Sequence, residues 1–185
     1  VAQALGSMPS TMGELDSAAL ARQLAGKLGG NVLYLSSPFM AETESDADIL
    51  RGQRTIRATL DAARHADLVL LGIGVIDPVR SSFVKAGFLT AERMHALAGS
   101  GVVGDMAGQF IRGDGGDGPR DVNHRVIGLT LDELRAIPHV LAIARGEEKE
   151  VAILGALRTG AVNVLATDDR TARGVLAREG QLLNG

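Results

Sequence analysis

The sequence predicts an α/β domain built on a parallel sheet with helices on both faces. Short β-branched runs bounded by Gly, Pro or Asp alternate with Ala-, Leu- and Arg-rich stretches of helical period, which is the rhythm of repeated β-α units. The runs are apolar almost throughout rather than alternating, as expected of strands buried on both sides. A length of 185 residues with 45% hydrophobic and 22% charged residues suits one globular domain over 1–185, which at this size buries roughly 70% of the surface its unfolded chain exposes.

The strand candidates are Asn31 to Leu35, Leu68 to Ile73, Val140 to Ala144 and Val162 to Thr167, with Val1 to Leu5 as a further one. Apolar residues at helical spacing mark helices over Asp16 to Lys27, Gln53 to His65, Glu148 to Leu157 and Asp169 to Glu179. Thr167 or Asp168 is placed to cap the last of these, and Thr90 starts a shorter helix ending near Gly99. The stretch Gly99 to Asn123 is rich in glycine. Within it, Val102 to Ile111 has strand-like composition interrupted by small residues, and the run Gly113 to Pro119 is expected to form a hairpin or loop tip.

Composition excludes several classes of function. With no cysteine the chain has no disulfide framework, thiol nucleophile or thiolate metal site. Lys and Arg total 19 against 22 Asp and Glu, a net charge of −3, so the basic footprint of a nucleic-acid-binding domain is missing. Aromatic residues are only 3%, which predicts an aliphatic core and no platform for stacking bases. No run of 18 apolar residues and no signal peptide are visible, and the expected location is cytoplasmic. The four histidines show no metal-ligand spacing and neither serine pair has a nucleophile-elbow frame, so no metal, cofactor or catalytic residue is assigned.

The candidate ligand groups lie at predicted strand ends. Gly72 and Gly74 close the third strand-like run, where ligands of open α/β sheets bind. The third glycine of a dinucleotide fingerprint is replaced by Asp77 and Pro78, which leaves a tight turn or the approach of a phosphate or hydroxyl to bare backbone. Gly146 to Lys149 joins a strand to a helix, so its first turn either favours an anion with Lys149 adding charge, or merely uses its two acids, Glu147 and Glu148, to stabilise the helix while Lys149 is solvated. Asp105, between Gly104 and Met106, is either a buried structural carboxylate or an acceptor for ligand hydroxyls. Asn123 and Arg125 flank His124 and, on an extended chain, would project to one face as polar ligand contacts or as an exposed edge-strand pair.

In their order and spacing these segments resemble the C-terminal effector-binding domain of the SorC family of bacterial sugar-responsive transcriptional regulators. The resemblance covers nearly the whole chain. It is carried by Leu70-Leu71-Gly72-Ile73-Gly74, Gly87-Phe88-Leu89-Thr90, Gly101-Val102-Val103-Gly104-Asp105-Met106-Ala107-Gly108-Gln109-Phe110 and Asn123-His124-Arg125-Val126-Ile127-Gly128-Leu129. Gly146 with Lys149, and Asn163-Val164-Leu165-Ala166-Thr167-Asp168, complete it. It implies a Rossmann-like α/β fold similar to phosphosugar isomerases and deaminases. It also implies binding of a sugar, polyol or sugar phosphate at the strand ends, self-association as a dimer or tetramer, and operator binding through an N-terminal helix-turn-helix that this chain does not contain. The ligand site it implies falls on Gly72, Gly74, Asp105, Asn123, Arg125, Gly146 and Lys149, with Gly6, Ser7 and Met8 contributing amides. Arg145 and Gln109 depart from the family's pattern, which often has Gly and Arg there. The alternative class of function on the same fold is a sugar-phosphate isomerase or deaminase.

Overall fold

The computed structural model describes residues 1–8 and 17–183. Helices α1 (Ser17–Leu28), α2 (Glu44–Gly52) and α3 (Arg54–Arg64) precede strand β1 (Leu68–Val75). The short α4 (Ser82–Lys85) and α5 (Ala91–Gly99) lead into a hairpin of β2 (Val102–Met106) and β3 (Gln109–Arg112). After α6 (Arg120–Asn123) and α7 (Leu131–Arg135) come β4 (His139–Ile143), a 3-10 turn over Glu147–Lys149, α8 (Glu150–Arg158), β5 (Val164–Ala166) and α9 (Asp169–Leu183).

The sheet runs β3-β2-β1-β4-β5. β1, β4 and β5 are parallel, in the register Leu70↔Leu141 and Leu141↔Val164, and form the predicted parallel core. The hairpin joins antiparallel, because β2 pairs with β1 through Ile73↔Met106, Gly74↔Asp105 and Val75↔Gly104. The strands expected at 1–5 and 31–35 are extended segments held by isolated bridges instead: Ala2↔Leu33 and Ser7↔Pro38 are parallel, and Leu5↔Gly128 is antiparallel. Of the helix expected from Asp16, that first residue lies outside the described residues, and the helix itself is α1.

Local chemistry sets the boundaries. Thr90 accepts from Arg93 N at 3.2 Å and opens α5, and Asp168 accepts from Thr171 N at 2.8 Å and opens α9, each satisfying an orphan first-turn donor. The hairpin tip is not the glycine run. It falls at Ala107 and Gly108, with φ of 49° and 75°, between the paired Met106 and Gln109, as the twist of a two-residue hairpin requires. Gly113 to Pro119 follows β3 and packs on the end of α8. There Gly115 takes φ 87°, and a Cβ on it would stand 2.4 Å from the Arg158 carbonyl.

The alternation of β1 and β4 sends Val69, Ile73, Val140 and Ala142 into the principal core, where they meet Ala144, just past β4, and Ala152, Ile153 and Ala156 of α8. Close approach of that helix depends on small residues: a Cβ on Gly104 would lie 2.7 Å from the Ala152 Cβ. The other face is covered unequally, and on it Leu68, Leu70, Ile143 and Val164 remain 45–56% exposed. The aliphatic core predicted from composition is only part of the interior. All the phenylalanines gather in a second core, where Phe39 meets Phe83 at 5.1 Å and Phe88 at 5.4 Å, and Phe83 meets Phe110 at 4.6 Å. Among the described residues no helix is long and apolar enough to cross a membrane.

Candidate ligand site at the strand ends

β1 carries Gly72 and Gly74 on the same face, two residues apart. Pairing across the sheet sets Asp105 opposite Gly74. The Asp105 carboxylate occupies the room that a side chain on Gly74 would need, so the second glycine is required by the protein itself. Gly72 differs. It is exposed, and a Cβ there would meet only the Ile143 carbonyl oxygen, at 3.9 Å, so the backbone beside the carboxylate is open.

Burial pushes the Asp105 carboxyl up to about 6, opposed by the Lys149 ammonium and by a hydrogen bond from the Gly108 N–H. Lys149 is partly buried, and its Nζ donates to the Ile73 carbonyl oxygen at 2.7 Å, just past the last β1–β4 pair, Gly72↔Ile143. That bond removes the reading in which Lys149 is simply solvated. A carboxylate and an ammonium therefore flank the exposed end of β1, an arrangement that can accept from hydroxyls on one side and meet an anion or a hydroxyl on the other.

The Gly146 turn is shaped by its own side chains. Gly146 has φ 115°, and a Cβ on it would stand 2.6 Å from Glu148 Oε2. Its N–H donates to Thr171 Oγ1 at 2.9 Å, and Thr171 Oγ1 in turn donates to Asp168 Oδ2 at 3.1 Å, which ties the turn to the cap of α9. Bonds from Thr171 hold the Asp168 carboxyl below the usual carboxylate range. Glu148 pairs with Arg80 at 3.4 Å and Glu147 with Arg170, so acids line this turn and Lys149 is its cation facing Asp105.

The remaining expected residues sit in other roles. Asn123 ends α6 instead of lying on an extended chain, and it is buried. Its amide is spent on Phe110: Phe110 N donates to Oδ1 at 2.8 Å, and Nδ2 donates to Phe110 O at 2.9 Å, covering the outer edge of β3. Arg125 Nε donates to the Ala41 carbonyl at 2.9 Å. The Gly6 and Ser7 amides donate to the Ile127 and Ser37 carbonyls at 2.8 and 3.0 Å, and Met8 packs on the aromatic core. Gln109 is buried with Nε2 unpartnered, and Arg145 is exposed beside Asp168.

Beside the site opens a cleft of roughly 310 Å³ whose lining includes Val75, Asp77, Arg80, Val103, Glu148 and Val151. Arg80 was not singled out by sequence reasoning. The signal was Asp77-Pro78, since Asp77 Oδ1 accepts from Val79 N and Arg80 N at 2.8 and 3.2 Å and so aims the turn that carries Arg80.

The fold is a mixed α/β domain that brings Asp105 and Lys149 together at the carboxyl end of β1. The chain belongs to the family described as "Putative sugar-binding domain", which matches residues 1–177. It is 32% identical over 178 residues to the transcriptional regulator LsrR of Enterobacter sp. (strain 638), covering 95% of this chain and 52% of that protein. It is 28% identical over 156 residues to the erythritol catabolism regulatory protein EryD of Brucella abortus, covering 84% and 49%. Among solved structures it superposes with a TM-score of 0.85 and 36% identity on the sugar-binding domain of a transcriptional repressor from Vibrio fischeri, covering 95% of this chain and 68% of that one. The chain thus spans about half the length of these curated relatives, one a transcriptional regulator and the other a catabolism regulatory protein.

Proposed function

We propose that this chain is the effector-binding half of a sugar-responsive transcriptional regulator, and that it takes a sugar, polyol or sugar phosphate at the exposed end of β1. The observation that carries this reading is the open backbone at Gly72 flanked by Asp105 and Lys149. Asp105 accepts from ligand hydroxyls, Lys149 answers a phosphate or a further hydroxyl, Gly72 keeps the strand end free of a side chain, and Gly74 and Gly146 make room for Asp105 and Glu148. Binding energy then biases an arrangement of self-associated protomers, and with it a DNA-binding helix-turn-helix outside this chain, in the cytoplasm. The net charge of −3 agrees with operator contacts being made elsewhere. A thermal-shift screen against sugars, polyols and their phosphates tests the reading. A ligand at 100 times its Kd adds about 2.7 kcal/mol of stability, and a shift for none of these compounds would overturn it.

A further inference from the structure

The hairpin tip Ala107-Gly108 follows β2 directly after Met106. Ala107 has φ 49° and is, among the described residues, the one non-glycine in the left-handed region. A residue with a Cβ stays in that conformation only where its surroundings hold it there, and such residues gather at ligand clamps. Gly108 comes next at φ 75° and is buried. A Cβ on it would stand 2.9 Å from both Phe39 Cζ and Val126 Cγ1, so the aromatic core closes directly on the tip. That floor is itself clamped. Met40 bridges Val126 antiparallel, Ile127 N donates to the Phe39 carbonyl oxygen at 2.9 Å, and Arg51 Nη2 donates to the Val126 carbonyl oxygen at 2.6 Å.

The tip also reaches the candidate ligand site. The Gly108 N–H donates to the Asp105 carboxylate, which on its other side fills the room over Gly74. Lys149 attracts the same carboxylate by charge, but its ammonium donates to the Ile73 carbonyl oxygen at 2.7 Å, so the direction of the carboxylate comes from the amide, whose hydrogen bond has an angular preference. We propose that Ala107 and Gly108 are positioning residues of the ligand site: their left-handed turn aims the Gly108 N–H at Asp105 and so fixes the carboxylate beside the open backbone of Gly72. The inference rests on the reading of Asp105 as the acceptor of ligand hydroxyls. Ala107 acts through its backbone conformation. A replacement that tolerates the left-handed region, such as Asn, therefore preserves the bond to Asp105, and a β-branched replacement of similar size, such as Val, breaks it.

Magnetic resonance titration of this chain tests the bond without any ligand. The Gly108 amide proton is expected to move with pH together with the Asp105 carboxyl carbon, and to stop moving in Asp105→Asn; a Gly108 amide that ignores the ionisation of Asp105 overturns the proposal. Ala107→Val and Ala107→Asn supply the second comparison, by calorimetry with ribose, glucose, erythritol and their phosphate monoesters. Ala107→Val should bind about tenfold or more weakly than the parent chain, and its Asp105 carboxyl should titrate at a pH higher by about half a unit or more, because the lost bond had favoured the charged form. Ala107→Asn should keep the parent's titration and stay within about threefold of its affinity. Equal affinities and equal titrations in the two variants overturn the proposal, as does a loss of affinity in Ala107→Val with the titration of Asp105 unmoved, which would assign Ala107 to packing alone. If Ala107→Val does not fold, the Gly108 titration and Ala107→Asn decide. Binding of none of these compounds to the parent chain would overturn the reading of the site and with it the role toward a ligand, while the Gly108 titration would still settle whether the tip holds the carboxylate.

Discussion

Gly74 and Asp105 face each other across the antiparallel pairing of β1 and β2, and a Cβ on Gly74 would stand 2.0 Å from the Asp105 Oδ1. Each residue fixes the identity of the other. The carboxylate can stand beside the open backbone of Gly72 only because its partner has no side chain.

Gly74→Ala therefore displaces the Asp105 carboxylate or shifts β1 from β2. The expected cost is on the order of 1–3 kcal/mol, as for other overpacked sites, with a loss of ligand affinity. Chemical denaturation and calorimetry on the same variant read both. A variant with unchanged stability and affinity would show that the carboxylate moves without consequence.

Asp105 also predicts a pH dependence. Its folded-state pKa, about 6, lies above the ordinary value of 3.8, so between those values the folded state binds more protons than the unfolded state. Stability therefore falls as pH rises through that window, by roughly 1–3 kcal/mol for a shift of this size. Asp105→Asn removes the ionisation, so its unfolding free energy should stay flatter from pH 4 to 7 and exceed that of the parent chain near neutrality. Parallel pH profiles for the two proteins would show that the carboxylate is not desolvated.

Glu150, in the first turn of α8, is buried and pairs with Arg178 of α9 at 2.7 Å. Its carboxylate fills the space over Gly174, where a Cβ would stand 1.9 Å from Oε1. Arg178→Ala strands this carboxylate and should cost about 1–3 kcal/mol, less than a fully buried pair because Arg178 is 45% exposed. Thermal denaturation of Arg178→Ala and of Arg178→Ala with Glu150→Gln provides the check: the second substitution should recover much of the loss, and no recovery would mean that the arginine acts through packing alone.

Asn123→Ala should be a stability variant. It removes the side-chain acceptor of Phe110 N and one of the two donors to Phe110 O, which also accepts from Gly118 N at 2.8 Å, an expected loss of about 1–3 kcal/mol. Ligand affinity of the folded protein should change less than about threefold. Calorimetry well below the variant's Tm checks this, and a tenfold loss of affinity there would return Asn123 to the ligand's contact shell.

What the sequence made legible was local. The caps at Thr90 and Asp168 and the apolar runs of β1, β4 and β5 depend on a few neighbouring residues, and the structure places them where periodicity and capping chemistry do. The glycine run Gly113 to Pro119 attracted the reading of a hairpin tip because glycine announces conformational freedom. The tip instead includes Ala107, whose positive φ no local signal announces. Gly115 answers a close approach to Arg158 from a distant part of the chain. Asn123 was misplaced for the same kind of reason: α6 is too short to show a helical period, and its partner Phe110 is 13 residues away. Sequence position brought Asp105 and Lys149 under suspicion separately. Only the register of β2 on β1 and the course of the Gly146 turn bring both to the end of one strand.

The central claim is that Asp105 and Lys149 hold a small polyhydroxy ligand at the end of β1. Isothermal titration of a sugar, a polyol and their phosphates into the parent chain, Asp105→Asn and Lys149→Ala tests it most directly. The account predicts saturable binding of at least one of these compounds to the parent chain, and about tenfold or greater loss in Asp105→Asn although that variant is at least as stable. It also predicts a loss in Lys149→Ala that is far larger for a phosphorylated ligand than for its unphosphorylated analogue, since an ammonium mainly answers phosphate charge. Binding of full affinity in both variants, with their folds intact, would contradict it.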